Sequence, residues 1–227
     1  VLGAGVMGGG VAELIAAHDV PVILKDIDDD ALAVGLQHAR ELLDKAGEAQ
    51  VFTAHEAELK FALIHGTLEY EKFDDVDLVV EAAVERMPVK KNILQEAEEV
   101  LPEHAVFATN TSSLSVTELA QVAERPTGVV GMHFFNPVHK MPLVEVIRTK
   151  LSSDASLATT FKFATKLGKT PVLVADRPGF LVNRLLAPYL NEAGFLLENG
   201  ASVTAVDRAL TSFGMPMGPC RLLDEVG

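Results

Sequence analysis

The chain has 227 residues, of which 48% are hydrophobic, enough for one domain of ordinary size and part of a second. Its formal net charge of −13 argues against nucleic acid binding, which needs a basic surface, and no apolar run approaches the ~20 residues that a membrane span requires. The single cysteine, Cys220, excludes an internal disulfide, and we expect a soluble protein of a reducing compartment, the cytoplasm.

Short apolar runs alternate with amphipathic stretches over residues 1–176, a pattern typical of an α/β domain with a largely parallel sheet. The predicted strands are Val20–Leu24, Val76–Val80, Ala105–Thr109, Val129–His133, Leu143–Ile147 and Pro171–Val174. The predicted helices between them are Met7–Ala17, Asp30–Ala46, Val89–Val100, Ser115–Ala123 and Asp154–Leu167. We interpret Gln50–Phe73 as a loop.

The pattern changes after residue 176, where Arg177-Pro178-Gly179 interrupts it. Two stretches of helical period follow, Phe180–Glu198 and Val203–Phe213, and no clear strand. We therefore expect a Rossmann-type doubly wound domain over residues 1–176 and the start of an all-helical domain over residues 177–227. The first strand is expected to be truncated, because Val1-Leu2 leads directly into a glycine-rich turn, and the helical domain to be incomplete.

The glycine-rich turn is the first motif that carries chemistry. Gly3 permits a tight turn after the strand remnant, Gly5 lets the backbone approach a pyrophosphate, and Gly8 lets the helix pack on the strand. The helix predicted from Met7, with Val6 just before it, would present its free N–H groups and its positive dipole end to the phosphates. The motif therefore predicts a dinucleotide site.

Asp26 supports that prediction. It ends the second apolar run, 18 residues after Gly8, close to the spacing of the acidic residue that binds the adenosine ribose. A carboxylate at this place accepts hydrogen bonds from the ribose hydroxyls and repels a 2′-phosphate. No arginine follows it in the next residues, so we expect NAD rather than NADP as the cofactor.

A histidine and a glutamate on neighbouring strands indicate the reaction type. His133 ends one apolar strand, and Glu145 lies inside the next, where an acid is costly to bury unless it is paired. A carboxylate partner would fix the imidazole tautomer and stabilise its protonated form. Such a histidine is suited to take the proton of an alcohol while hydride leaves to a nicotinamide. His139, in a polar turn, is expected to be solvated.

Four segments together resemble the L-3-hydroxyacyl-CoA dehydrogenase family. These are Asn110–Ser113, Met132–Ile147, Pro178–Arg184 and Pro216–Pro219, in the order and spacing of that family. The variant His139-Lys140-Met141-Pro142 is most similar to the dehydrogenase part of the multifunctional α subunit of fatty-acid oxidation complexes. The resemblance implies NAD-dependent oxidation of L-3-hydroxyacyl-CoA to 3-ketoacyl-CoA in β-oxidation. It also implies a hydratase region in the same chain, a thiolase subunit as partner, and a homo-oligomer.

The resemblance further implies roles for individual residues. Four would be catalytic: His133 as general base, Glu145 as its orienting partner, and Ser112 and Asn183 near the 3-oxygen of the substrate. Three would hold the cofactor: Glu85 and Lys90 near its ribose, and Asn136 at its nicotinamide end. No metal is expected. The basic residues that contact CoA in the family have no secure match, since residues 31–48 offer only Arg40 and Lys45.

Two alternative functions stay open on the sequence alone. The poor match at the CoA-contacting positions allows a related NAD dehydrogenase of a free hydroxy acid or a sugar acid. A non-catalytic, crystallin-like NAD-binding protein is the other, because a fold does not determine a function. The polar set at residues 112, 133, 145 and 183 argues against the second, since a protein that only binds NAD does not need it.

Overall fold

The computed structural model describes residues 1–226 and divides the chain into two compact units, Val1–Pro178 and a second that begins at Gly179. The strands, all in the first unit, are β1 (Val22–Lys25), β2 (Ile64–Thr67), β3 (Leu78–Glu81), β4 (Val106–Thr109), β5 (Val129–Phe134), β6 (Leu143–Arg148) and β7 (Thr170–Ala175). The helices of that unit are α1 (Val6–Ala17), α2 (Asp29–Glu48), α3 (Ala54–Phe61), α4 (Met87–Glu98), α5 (Val116–Ala120) and α6 (Asp154–Lys166).

The strands form an open, mostly parallel sheet with helices packed on it. Five strands follow the order β3-β4-β5-β6-β7, parallel except for the antiparallel pair β5-β6. The parallel pair β1-β2 joins them through Leu2, which bridges to Lys25 and to Glu81. The predicted α/β class is thus confirmed. The carboxyl ends of β1, β3, β4 and β5 meet at one edge, where open α/β sheets bind their ligands.

The expected loop over Gln50–Phe73 is wrong, because this stretch contains α3 and β2. Helix α3 begins with a capping box: the Thr53 hydroxyl accepts from the Glu56 N–H at 3.2 Å, and the Glu56 carboxylate accepts from the Thr53 N–H at 2.7 Å. Strand β2 has the sequence Ile-His-Gly-Thr, which carries no apolar run, so its pairing with β1 was not visible in the pattern.

Helices α1 and α2 pack closely because glycines line their contact. A Cβ on Gly35 of α2 would run into the carbonyl oxygen of Ala4 and lie 2.7 Å from the Ala4 Cβ. A Cβ on Gly9 of α1 would lie 2.7 Å from the carbonyl oxygen of Gly35. Since real Cβ atoms do not approach this closely, the glycines allow α2 to support the turn before α1.

The second unit is helical over its described residues. It contains α7 (Val182–Glu198), α8 (Val203–Phe213) and α9 (Pro219–Val226), and no strand occurs between residues 179 and 226. Two of these helices match the predicted ones, while α9 was not predicted. Asp207 of α8 accepts from the N–H groups of Cys220 and Arg221 at 2.9 and 3.3 Å, which caps α9. Up to residue 226, no helix is long and apolar enough to cross a membrane.

Replacement of Gly35 by alanine tests the glycine contact. We expect Gly35→Ala to lower the free energy of unfolding by about 1–3 kcal/mol, because the added methyl group overlaps Ala4. Gly47→Ala in the same helix is the matched control: its Cβ meets only one atom, at 4.0 Å, and alanine favours helix by up to about 1 kcal/mol. Urea denaturation measures both. Equal stabilities for the two variants would contradict the packing account.

Candidate functional site

The glycine-rich turn has the close packing that a phosphate-binding turn needs. Gly3 has a φ of +95°, and a Cβ there would lie 2.8 Å from the carbonyl carbon and oxygen of Ala82. A Cβ on Gly8 would collide with the Gly3 carbonyl oxygen, whereas a Cβ on Gly5 would meet nothing within 4 Å. The turn is thus packed on its inner side and open at Gly5, where a pyrophosphate can approach the backbone.

The N-terminus of α1 follows directly and fits an anionic group. Gly5 is the N-cap, no side chain of the described residues caps it, and the first turn holds no acidic residue. A helix N-terminus of this kind offers N–H groups and a positive dipole end. Val6, in the first turn, is 56% exposed, and Met7 beside it is half-buried. The residues present therefore fit the phosphates of a dinucleotide.

Asp26 is held beside this turn by two backbone groups. Its Oδ2 accepts from the N–H of Ala4 at 2.5 Å, and its Oδ1 accepts from the N–H of Ile27 at 2.7 Å. The carboxylate thereby links the carboxyl end of β1 to the glycine turn. Ile27 is 83% exposed, so an apolar surface lies next to the acid.

A buried ion pair lies at the carboxyl end of β3. The carboxylate of Glu81 is fully buried and accepts from Lys90 Nζ at 2.8 and 3.0 Å, from the Thr109 hydroxyl at 2.6 Å, and from the Ala83 N–H at 2.8 Å. Lys90 itself is 1% exposed. Glu81 was not singled out in the sequence, although an acid that ends the apolar run Leu-Val-Val is the signal that could have found it.

The predicted residues Glu85 and Ser112 lie together. Glu85 Oε1 accepts from the Thr111 hydroxyl at 2.5 Å and from the N–H groups of Ser112 and Ser113 at 2.9 and 3.3 Å. Its Oε2 lies 3.6 Å from Lys90 Nζ. The carboxylate of Glu85 therefore fixes the backbone of the loop after β4, which presents Ser112.

His133 and Glu145 face each other across the antiparallel pair β5-β6. They are direct partners in the strand register, and His133 Nδ1 lies 2.8 Å from Glu145 Oε2. His133 is 4% exposed and Glu145 is fully buried. Because Nδ1 faces the carboxylate, the hydrogen bond specifies the tautomer with a proton on Nδ1. The structure thus brings together the two side chains that the sequence places on neighbouring strands.

Asn110 and Asn136 complete the polar side chains of this edge. Asn110 Oδ1 accepts from the Phe134 N–H at 3.0 Å, which ties the end of β4 to β5 beside His133. Asn136 is exposed and precedes Pro137 through a cis peptide bond. Asn183 belongs to the second unit, where it lies in the first turn of α7. Within residues 1–226, no group of three or more metal-ligating side chains occurs.

A buried lysine holds the turn that follows Asn136. Lys169 is 8% exposed, and its Nζ donates to the carbonyl oxygens of Val138 and Met141 at 2.5 and 2.9 Å. Glu13 of α1, 5% exposed, lies near enough for its charge to interact with Lys169, and its Oε2 has no partner among the described residues. Burial raises the pKa of Glu13 to about 7, against a smaller opposing effect of Lys169.

Two family models match the sequence over almost its whole length. The model of the 3-hydroxyacyl-CoA dehydrogenase NAD-binding domain matches residues 1–177, and the model of the C-terminal domain of 3-hydroxyacyl-CoA dehydrogenase matches residues 179–227. The chain belongs to the 3-hydroxyacyl-CoA dehydrogenase family. The predicted resemblance is confirmed, and the cofactor of this family's nucleotide domain is NAD.

A similar protein sequence and two similar solved structures agree with this family assignment. The fatty acid oxidation complex subunit alpha of Acinetobacter baumannii is 47% identical over 227 residues, which are the whole of this chain and 32% of that protein. Among solved structures, FadB2 of M. tuberculosis has 40% identity and a TM-score of 0.96. The (S)-3-hydroxybutyryl-CoA dehydrogenase of Ralstonia eutropha has 38% identity and a TM-score of 0.95. Both matches cover 100% of this chain and 81% of the other. The chain spans about a third of the length of the curated relatives that it matches.

The pKa of Glu13 predicts a pH dependence of stability. Between about pH 4.5 and about pH 7 the unfolded chain releases this proton while the folded protein keeps it, so the stability contributed by Glu13 falls as the pH rises. Glu13→Gln should remove that loss. We expect the free energy of unfolding of Glu13→Gln, relative to that of the wild type, to increase across this window by an amount on the order of 2 kcal/mol. Urea denaturation at several pH values measures this difference. A difference in the free energy of unfolding that does not change with pH would contradict the raised pKa of Glu13.

Proposed function

We propose that this chain catalyses the NAD-dependent oxidation of L-3-hydroxyacyl-CoA to 3-ketoacyl-CoA, a step of fatty-acid β-oxidation. The observation that carries the proposal is the buried hydrogen bond between His133 and Glu145, at the same sheet edge as the glycine turn and Asp26. An alcohol dehydrogenation needs a base and a hydride acceptor side by side. This edge offers both the base and the residues that fit a dinucleotide.

In the proposed mechanism, His133 is the general base. Its Nδ1 is engaged by Glu145, so the proton of the substrate hydroxyl goes to Nε2. The carboxylate of Glu145 stabilises the imidazolium that forms, and its burial strengthens that interaction. Bound NAD would accept the hydride from the 3-carbon. Ser112 and Asn183 would donate hydrogen bonds to the 3-oxygen, and Glu85 would hold the Ser112 loop in place.

The residues proposed to bind the cofactor lie at or after the carboxyl ends of the strands. Gly3, Gly5, Val6, Met7 and Gly8 would hold the pyrophosphate, and Asp26 would accept hydrogen bonds from the adenosine ribose. We propose that Glu85 faces the cofactor's second ribose and that Asn136 lies at the nicotinamide end. Lys90 is 1% exposed and bound to Glu81, so its proposed effect on the ribose passes through Glu85.

A cluster of basic side chains supports a CoA thioester over a free acid. The pKa of His139 is lowered, first by desolvation and then by the positive charges of Lys140, Lys169, His38 and Lys45. His139, Lys140 and Lys45 are exposed. A local concentration of cations in a chain of net charge −13 suits a substrate that carries phosphate groups.

The neighbouring regions, the partners and the location of this chain stay predictions from the sequence. A hydratase region in the same chain, a thiolase subunit as partner, a homo-oligomer and a cytoplasmic location are all compatible with relatives that are α subunits of a fatty acid oxidation complex. We include them in the proposal because the present chain corresponds to about a third of those proteins.

Removal of the base tests the proposed reaction. We expect His133→Ala to lower kcat for L-3-hydroxybutyryl-CoA by about 100-fold or more, since a general base contributes at least that factor. His104→Ala is the control: this histidine is 66% exposed, lies before β4 at the opposite edge, and should leave kcat within about twofold. The appearance of NADH absorbance measures both. Near wild-type turnover by His133→Ala would exclude this mechanism.

The substrate class is tested by charge reversal in the basic cluster. With Lys140→Glu we expect KM for the CoA thioester to rise about fivefold or more, and KM for the free 3-hydroxy acid to stay within about twofold. Lys150→Glu, which follows β6 at the opposite edge, controls for the change in net charge. Equal catalytic efficiency of the wild type on the thioester and on the free acid would remove the CoA assignment and favour the free-acid alternative.

A further inference from the structure

The buried side chain of Glu81 links two segments that form two sides of the candidate site. Its carboxylate is fully buried at the carboxyl end of β3 and accepts four hydrogen bonds. A buried carboxylate is retained in a fold only when its partners compensate for the loss of water. The partners of Glu81 belong to segments that reach the two sides of the site.

One side is the glycine turn. Glu81 Oε1 accepts from the N–H of Ala83, which fixes the segment that leaves β3. In that segment Ala82 donates from its N–H to the Leu2 carbonyl oxygen at 2.7 Å, and its backbone fills the space beside Gly3. The position of this wall of the cofactor turn therefore depends on the carboxylate of Glu81.

The other side is the loop that presents Ser112. Glu81 Oε2 accepts from the hydroxyl of Thr109, the last residue of β4 and its direct partner in the strand register. Lys90 lies between the carboxylates of Glu81 and Glu85, at 2.8 Å from the first and 3.6 Å from the second. Glu85 in turn holds the backbone of Ser112.

We propose that Glu81 is a positioning residue that keeps the glycine turn and the Ser112 loop in register for the reaction. The inference rests on the proposed function. Its physical basis is that one buried ammonium group, that of Lys90, is paired with two carboxylates, those of Glu81 and Glu85. When Glu81 loses its charge, Glu85 becomes the stronger partner of Lys90, and the carboxylate of Glu85 is drawn away from the N–H groups of Ser112 and Ser113.

The test is Glu81→Gln, which keeps the shape of the side chain and removes its charge. We expect kcat with L-3-hydroxybutyryl-CoA to fall about 10- to 100-fold, as small displacements of reacting groups do. The Kd of NADH, from its fluorescence on titration, should rise about tenfold, because a charged hydrogen-bond network supports the turn. Thr109→Val removes one donor to Glu81 without changing the size of the side chain, and should give about a three- to fivefold change in kcat.

Glu98→Gln is the matched control in the same domain. Glu98 is a carboxylate at 9% exposure that accepts from the backbone N–H groups of Glu124 and Arg125, away from the strand ends of the site. It should lower Tm and leave kcat and Kd within about twofold. All measurements are made below the Tm of each variant; if Glu81→Gln does not fold, Thr109→Val decides. Wild-type kcat and Kd in the folded Glu81 or Thr109 variant, or equal losses in Glu98→Gln, would overturn the inference. Absence of turnover in the wild type would instead overturn the proposed function.

Discussion

The hydrogen bond between His133 and Glu145 depends on a single change of direction in the sheet. Strands up to β5 run parallel, and β6 returns antiparallel beside β5, so residues opposite each other exchange contacts directly. That return places an acid from the interior of β6 against a histidine near the carboxyl end of β5. Both side chains are buried, and the hydrogen bond between them compensates part of the cost of removing each from water.

The same principle recurs at the neighbouring strands of this edge. A polar side chain at or shortly after the carboxyl ends of β1, β3 and β4 accepts a hydrogen bond from the backbone of an adjacent segment. The pairs are Asp26 with Ala4, Glu81 with Ala83, Glu85 with Ser112, and Asn110 with Phe134. Because Asp26, Glu81 and Asn110 lie at or next to the ends of rigid strands, they hold the adjacent segments in place before any ligand binds. Such preorganisation is what electrostatic catalysis requires.

The fold class and the pairing of His133 with Glu145 were predictable from the sequence for the same reason. An apolar run of four to six residues has a strong signal, and so does an acid such as Glu145 that interrupts one. The pair α3 and β2 lacked that signal, because β2 has only one apolar residue of four and four of the eight residues of α3 are polar. Only the capping box at Thr53 and Glu56 would have indicated the helix.

The buried network around Glu81 could not be predicted in full. Lys90 lies nine residues later on α4, and a lysine in an amphipathic helix normally faces water. Its burial follows from tertiary packing of α4 at the end of β3, which the sequence pattern does not contain. Glu13, in the otherwise apolar α1, is a similar case: its raised pKa results from burial against the sheet and was not visible in the helical pattern.

We propose that Glu145 fixes His133 as a base that acts through Nε2. The most direct measurement is the ¹⁵N NMR spectrum of the His133 ring in the folded protein, at a pH where the ring is neutral. We expect the tautomer with the proton on Nδ1, and a loss of that preference in Glu145→Gln. A neutral ring that carries its proton mainly on Nε2 in the wild type would contradict the account.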